Sequence, residues 1–168
     1  MYYFSQYASP IGMLTLVCDE VNLVGVWMEG QKYFGYNILA QAVRKDDFPV
    51  LVKTKDWLNR YFAGKKPDIA ELSLSPVGSE FRQRVWRLLC EIPYGTTTTY
   101  GELAKRMAAQ MCKASMSAQA VGGAVGHNPI SIIIPCHRVV GADGSMTGYA
   151  GGIEKKCKLL EIEGLINL

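Results

Sequence analysis

The sequence predicts an α+β protein built from two parts, because its strand-like and helix-like segments are segregated along the chain. The first part opens with short β-rich segments separated by turns, and the second part reads as a series of short helices. Charge divides in the same way. Residues 1–75 carry eight Lys and Arg against eight Asp and Glu, whereas residues 76–168 hold the whole net charge of +3. We therefore expect an N-terminal sheet domain over residues 1–75 and a helical C-terminal domain over residues 76–168.

Composition excludes several classes of protein. Hydrophobic residues make up 49% and charged residues 20% of the chain, which is enough apolar material for a folded core. No apolar run approaches the roughly 18 to 20 residues of a membrane span, and the N-terminus lacks the pattern of a secretory signal. Five scattered cysteines without a CxxC pair favour a reducing cytoplasm over a disulfide framework. No Cys and His spacing suits a metal, so we expect no metal site.

Local patterns predict the elements of the N-terminal part. Turn signals separate three β-rich segments, which we expect to form an antiparallel meander over residues 2–7, 13–18 and 23–28. A helix is predicted over residues 50–62, because Leu51 and Leu58 recur at helical spacing and Gly64 follows the last turn.

The C-terminal part is predicted to hold four helices, over residues 79–92, 99–109, 117–125 and 154–163. The second and third are joined by a short connector, which suggests a helix-turn-helix. The third is made of small residues, which suit either close approach to a DNA backbone or tight helix packing. Residues 130–134 are apolar and β-branched and predict a buried strand. In the last helix we expect Lys156 on the outer face.

Cys136 differs from the other cysteines in its surroundings. It follows the predicted strand and lies between Pro135 and two potentially cationic residues, His137 and Arg138. Positive charge and a nearby proton acceptor are the conditions that lower the pKa of a thiol and make it a nucleophile. On these residues alone, a reactive thiol and a structural thiol remain equally good interpretations.

The segment from Pro135 to Gly141, together with the glycine-rich stretch over residues 147–152, resembles the active site of the O6-alkylguanine-DNA alkyltransferases. The resemblance extends over nearly all of residues 50–166. It implies a ribonuclease-H-like N-terminal domain and a winged-helix-like C-terminal domain that carries the helix-turn-helix and the active site. It also implies a protein that binds double-stranded DNA and flips an alkylated guanine into a pocket.

The resemblance implies a role for each matching residue. Cys136 would be the nucleophile and alkyl acceptor, His137 a base acting through water, and Glu163 the group that orients His137. Tyr100 would donate a proton to the departing guanine, and Arg138 would be a buried structural partner. The substrate pocket would be formed by Asn128, Val139, Tyr149 and Ala150. The DNA-binding helix would present Gln119, Ala120, Gly122 and Gly123.

The activity implied is direct, irreversible transfer of an alkyl group from O6-alkylguanine, and from O4-alkylthymine, to Cys136. Each molecule would react once, as a monomer in the cytoplasm, without a cofactor. The sequence departs from the family at Gln119, where relatives often have arginine, and in the longer connector over residues 110–116. Two rival functions are a non-enzymatic binder of damaged DNA and a cysteine hydrolase or redox protein. The presence of Cys136, His137 and Glu163 argues against the first. The absence of a resolving cysteine argues against the second.

Overall fold

The computed structural model describes residues 1–146 and 148–165, which fold into two compact units. The first unit comprises residues 1–77 together with residues 129–133, and the second comprises residues 78–128 and the chain from residue 134 onward. The predicted α+β class is confirmed. The segregation along the chain is not complete, however, because the short segment just before Cys136 belongs to the first unit.

The first unit is built on a four-stranded sheet with the order β3-β2-β1-β4. Its strands are β1 (Tyr2–Ser9), β2 (Gly12–Cys18), β3 (Leu23–Met28) and β4 (Ala42–Arg44). The first three form the predicted antiparallel meander, and Gly12 makes the first turn with a φ of 111°, which favours glycine. β4 pairs with β1 in parallel, so the sheet is mixed rather than purely antiparallel.

Two helices accompany this sheet, α1 (Tyr36–Leu39) and α2 (Pro49–Phe62). α2 begins with Pro49 in its first turn, where a missing N–H costs nothing. It buries one apolar stripe that includes Leu51, Trp57 and Leu58, and the Trp57 indole donates a hydrogen bond to the carbonyl of Asp68 (2.9 Å). The helix predicted over residues 50–62 is thus present, because its periodicity matched a buried face.

The second unit contains the remaining helices, α3 (Glu80–Leu89), α4 (Tyr100–Gln110), α5 (Ala118–Gly126) and α6 (Ile153–Ile162). α3, α4 and α5 follow Ser79, Thr99 and Ser117, respectively, and each of these hydroxyls accepts a hydrogen bond from a backbone N–H in the first turn of its helix. α4 and α5 pack together as a helix-turn-helix, and the Trp86 indole ties α3 to α5 by donating to the Ala124 carbonyl (2.9 Å).

The strand predicted over residues 130–134 is wrong. Only Ile130 makes a bridge, to Val26 of β3. At Ile132 the backbone turns with a φ of 73°, and the Ile133 N–H donates to the Ser131 carbonyl (2.9 Å), which closes a γ-turn. The apolar run is buried as predicted, but its backbone forms a local hydrogen bond instead of pairing along a strand. The apolar pattern therefore predicted the burial of these residues correctly and their backbone conformation incorrectly.

The chain then makes a 3₁₀ turn over Cys136–Arg138 and a short strand β6 (Val139–Val140), which pairs in parallel with β5 (Thr98–Thr99). Within the described residues, no helix is both long and apolar enough to cross a membrane.

Candidate active site

Cys136 is the first residue of the 3₁₀ turn and is buried. Its N–H donates to the Ile134 carbonyl (2.8 Å), and the Asn128 side-chain amide donates to the same carbonyl (2.7 Å). Burial raises the pKa of the Cys136 thiol, while a hydrogen bond from Asn128 and the positive charge of Lys156 act in the opposite direction. Because burial outweighs both effects, the resting group is a protonated thiol that needs a base to become a nucleophile.

The next residue, His137, is the predicted base. The His137 Nε2 atom lies 2.6 Å from the Glu163 carboxylate, and both side chains are fully buried. Burial lowers the pKa of His137 despite the neighbouring carboxylate, so the imidazole is neutral near pH 7. A neutral ring that donates from Nε2 to the carboxylate has its lone pair on Nδ1, which makes Nδ1 the proton acceptor.

Glu163 follows the last turn of α6 and is held as a buried anion. Burial raises the pKa of its carboxyl, but hydrogen bonds from His137 and Arg138 and the positive charge of Arg138 more than offset this, and the pKa falls to about 2. Its Oε1 atom accepts from Arg138 Nε (2.8 Å) and from the Gly95 N–H (3.1 Å). The carboxylate therefore stays charged at any pH at which the protein would work.

Arg138 is buried beside Glu163 and has further partners. Its guanidinium donates to the Ile92 carbonyl (2.7 Å) and lies over the Tyr94 ring, 5.6 Å from the ring centre. These contacts use the donors of the guanidinium within the protein, which agrees with the structural role that the resemblance implies for Arg138.

Lys156 is the residue that sequence reasoning missed. It was expected on the outer face of the last helix, but it is only 1% exposed, and its Nζ donates to the Val139 carbonyl (2.6 Å). Burial lowers the pKa of this ammonium group, and the thiolate form of Cys136 raises it. A signal was present in the sequence, because Lys156 lies four residues before Leu160 and seven before Glu163, on the same helical face.

Tyr100 is the first residue of α4 and is half-buried. Burial raises the pKa of its hydroxyl, and the thiolate form of Cys136 raises it further, which indicates that the two groups are near each other. A Cβ atom at Gly148 would lie 3.0 Å from the Tyr100 hydroxyl, and one at Gly122 would lie 3.6 Å from its ring. The glycine at 148, with a φ of 78°, thus leaves the hydroxyl accessible.

The other predicted pocket residues lie around the 3₁₀ turn and in the following loop. Val139 is buried, and its carbonyl, already bonded to Lys156, retains a second lone pair. Tyr149 and Ala150 are half-buried in the glycine-rich loop, where the Tyr149 carbonyl accepts from the Gly152 N–H (3.0 Å). Thr147, the first residue of that motif, lies outside the described residues.

The DNA-binding residues predicted on α5 are on an open face. Gln119, Ala120 and Gly123 are exposed, while the opposite face buries Val121 and Val125. A Cβ atom at Gly123 would meet no atom within 4 Å, so packing within the unit does not require glycine there. Glycine within a helix costs about 1 kcal/mol relative to alanine. Of the two interpretations of these small residues, the open surface favours close approach by another molecule.

No group of three or more His, Cys, Asp or Glu within residues 1–146 and 148–165 is arranged to hold a metal ion. The groups that the site brings together are a buried thiol, a neutral imidazole with its carboxylate, a lysine and a tyrosine.

Comparison with protein-family models gives two matches that together span nearly the whole chain. Residues 2–76 match the 6-O-methylguanine DNA methyltransferase, ribonuclease-like domain, and residues 80–165 match the DNA binding domain of the same family. Among curated relatives, the methylated-DNA–protein-cysteine methyltransferase of Haemophilus influenzae is 40% identical, over 96% of this chain and 86% of its own. That of Methanosarcina acetivorans is 43% identical, over 96% and 98%.

Solved structures give the same relation. The crystal structure of Mycobacterium tuberculosis O6-methylguanine methyltransferase is similar with a TM-score of 0.82 and 42% identity, covering 97% of this chain and 93% of that one. A crystal structure of Mycobacterium tuberculosis OGT in complex with DNA is similar with a TM-score of 0.80 and 41% identity, covering 96% and 92%.

Proposed function

The chain belongs to the 6-O-methylguanine DNA methyltransferase family, and we propose that it repairs DNA by moving the alkyl group of O6-alkylguanine onto its own Cys136. The observation that carries this proposal is one buried cluster. The Cys136 thiol lies beside Asn128 and within the field of Lys156, and the adjacent His137 bonds a carboxylate at 2.6 Å. O4-alkylthymine is included as a second substrate, because it presents the same alkyl–oxygen bond.

The first step is removal of the thiol proton. Because burial raises the pKa of Cys136, a neutral His137 is needed to take this proton, through an intervening water. The imidazolium that forms is paired with the Glu163 carboxylate, and the charge of Lys156 stabilises the thiolate. This is the logic of a nucleophile, its base and an acid that orients the base.

In the second step the sulfur attacks the alkyl carbon. A carbon–sulfur bond forms, the carbon–O6 bond breaks, and the electron pair remains on the guanine. Tyr100 donates a proton to the departing guanine and thereby stabilises the negative charge that develops on it. The proton held by His137 then restores the phenol through solvent, so the net transfer takes the thiol proton to guanine. The Val139 carbonyl and the Ala150 N–H are proposed to bind the guanine edge, with Tyr149 as a wall.

Access to the alkyl group requires the base to leave the duplex. The open face of α5, with Gln119, Ala120 and Gly123 exposed and no side chain at Gly123 to obstruct contact, supports docking of this helix against double-stranded DNA. Gly122, on the face toward Tyr100, leaves space beside its ring. We place the DNA-binding and reacting residues in a domain over residues 76–168, and the protein in the cytoplasm as a monomer.

The product is a thioether on Cys136. A thioether has no proton to lose and is a poor leaving group, so none of the groups named here regenerates the thiol. Each molecule therefore reacts once, and the reaction needs no cofactor.

The test is incubation of the protein with a duplex carrying isotopically labelled O6-methylguanine, followed by intact-mass and peptide analysis. We expect a gain of one methyl group per chain, located on Cys136, and guanine restored in the DNA. Cys136→Ser should abolish the gain. Cys112→Ser, which changes an exposed thiol, is the matched control and should react as the wild type does.

Two outcomes would overturn the proposal. Turnover of more than one lesion per chain would mean that the thioether is not the final product. Specific binding to the damaged duplex without any mass gain would make the protein a damage binder rather than a transferase.

A further inference from the structure

The segment that leads to the nucleophile is anchored in the first unit. The Val26 N–H in β3 donates to the Pro129 carbonyl (2.9 Å), and the Ser131 N–H donates back to the Val26 carbonyl (3.1 Å). Ile130 bridges to the same strand residue. Residues 129–131 therefore pair with the edge of β3 that is not bonded to β2, although the chain on either side of residues 129–133 belongs to the second unit.

A buried amide completes this anchor. Gln31 follows β3, is 6% exposed, and uses its Oε1 atom to accept from the Met28 N–H (2.9 Å) and from the Ser131 hydroxyl (3.2 Å). Its own N–H donates to the Met28 carbonyl (3.1 Å), which fixes its backbone to the end of the strand. Gln31 plays no part in the chemistry derived above, yet it is a buried polar side chain whose oxygen joins the strand end to Ser131.

The anchor is followed at once by an unfavourable backbone conformation. Ile132 has a φ of 73° in the γ-turn, which a β-branched residue adopts only when its surroundings impose it. Ile132 is fully buried, so both its side chain and its backbone are constrained. The hydrogen bonds on Ser131 hold the residue that precedes the turn.

Two residues after the turn, the Ile134 carbonyl accepts from the Cys136 N–H and from the Asn128 amide. Rotation of the Ile134 carbonyl would therefore displace both the Cys136 thiol and the Asn128 amide that forms a hydrogen bond with it. If the turn at Ile132 relaxed to an ordinary backbone conformation, the direction of the following carbonyls would change.

We propose that Gln31 is a positioning residue for the alkyl transfer, because it holds Ser131 and thereby the turn at Ile132 that sets the place of Cys136. The proposal rests on the proposed function and gives the N-terminal domain a part in the reaction. Gln31 acts through Ser131 and does not touch the alkylated base.

The test compares Gln31→Ala with wild type in single-turnover transfer over a range of concentrations of the lesion duplex. This separates the apparent Kd for DNA from the maximal transfer rate. We expect the maximal rate to fall about tenfold or more, since small displacements of reacting groups have effects of up to about 100-fold. The apparent Kd should stay at the wild-type value. Gln41→Ala, which removes an exposed amide from the same unit, is the matched control and should leave both values unchanged.

Two further measurements separate positioning from general loss of structure. Gln31→Leu keeps most of the side-chain bulk without an acceptor oxygen and without a buried charge, and it should be as slow as Gln31→Ala. The amide of Ile133, which closes the γ-turn, should exchange with solvent faster in Gln31→Ala than in wild type. A variant with both Gln31→Ala and Ser131→Ala should transfer the methyl group no more slowly than Gln31→Ala alone, because the two substitutions remove the same hydrogen bond.

The inference is overturned if Gln31→Ala reacts at the wild-type rate, if its loss resides in the apparent Kd or follows the unfolded fraction, or if Gln31→Leu, which has no acceptor oxygen, restores the rate. These results are distinct from failure of the proposed function. If the proposed function were wrong, the wild type itself would gain no methyl group on Cys136, whatever residue occupies position 31.

Discussion

Two arginine–glutamate pairs of similar geometry lie in very different surroundings. Arg60 contacts both carboxylate oxygens of Glu71, at 2.9 and 2.7 Å, in the first unit. Arg138 contacts both oxygens of Glu163, at 2.8 and 3.2 Å, in the second unit. The side chains of the first pair are 33% and 38% exposed, whereas those of the second are 7% and 0% exposed.

The difference shows what burial adds to an ion pair. At Arg60, water screens the attraction and either side chain can be hydrated alone. At Glu163, neither charge can be left without its partner, so the pair fixes the position of the carboxylate and through it the ring of His137. The exposed pair joins two surface segments, while the buried pair holds the ring of His137, the proposed base, next to Cys136.

The largest expected effect follows from breaking each pair at its carboxylate. Glu163→Gln leaves Arg138 buried without a counter-charge and should lower the free energy of unfolding by about 3 to 5 kcal/mol. It should also slow methyl transfer by a factor on the order of 100 or more, because His137 loses the group that stabilises its protonated form. Chemical denaturation and single-turnover kinetics measure the two effects.

Glu71→Gln is the matched variant at the exposed pair and should leave both the unfolding free energy and the transfer rate close to wild type. Equal destabilisation by the two variants would contradict the argument that burial, rather than geometry, gives the second pair its importance.

The next effect is the dependence of stability on pH. The pKa of Glu163 is about 2 in the folded protein and near 4.5 when unfolded, so its contribution is complete above pH 4.5 and is lost as the pH falls toward 2. This contribution is on the order of 3 kcal/mol. Stability measured from pH 5 to pH 2 should therefore fall less steeply in Glu163→Gln than in wild type. Glu161→Gln, an exposed change at the end of α6, should keep the wild-type slope, and a wild-type slope in both variants would refute the assignment.

A smaller effect is expected from the lysines of α6, which repeat the contrast between buried and exposed charge. Lys156→Met removes the cation that favours the thiolate of Cys136, and a rise of one unit in the thiol pKa corresponds to about a tenfold loss of rate. The pH dependence of the transfer rate should shift to higher pH together with the pKa of the thiol. Lys158→Met, which removes an exposed lysine 3.9 Å from the Glu154 carboxylate, should change neither the rate nor the pH dependence of transfer. A shared loss in both variants would point to helix α6 as a whole rather than to Lys156.

The contrast also explains which features were predictable from the sequence. The meander, α2 and the capped starts of α4 and α5 depend on residues near each other in the chain, so turn signals, periodicity and hydroxyl caps were sufficient. The chemistry proposed for Cys136 and His137 was likewise carried by a contiguous motif. Each of these features needs no knowledge of a distant partner.

The features that escaped prediction depend on long-range contacts. Lys156 resembles a surface residue in the local pattern, but its ammonium group donates a hydrogen bond to the Val139 carbonyl, 17 positions earlier. Residues 130–134 read as a strand because apolar β-branched residues favour one, but the hydrogen bond between Ser131 and Gln31, 100 positions apart, belongs to a turn. Neither partner could be assigned from local pattern, since the sequence contains many equivalent carbonyls and amides.

The smallest effect concerns an exposed position where charge is missing. Gln119 is exposed on α5, and Gln119→Arg would add a cation that pays no desolvation penalty, so the free energy of unfolding should not change. On a duplex, the same cation should displace about one counterion, which steepens the salt dependence of binding by about one unit and tightens binding at low salt. Gln41→Arg adds equal net charge outside the DNA-binding domain and should change the slope much less. Equal slopes for the two variants would mean that total charge, and not position on α5, governs attraction to DNA. A change in slope confined to Gln119→Arg would instead show that an exposed charge, although it contributes little to the free energy of unfolding, strengthens DNA binding where it contacts a phosphate.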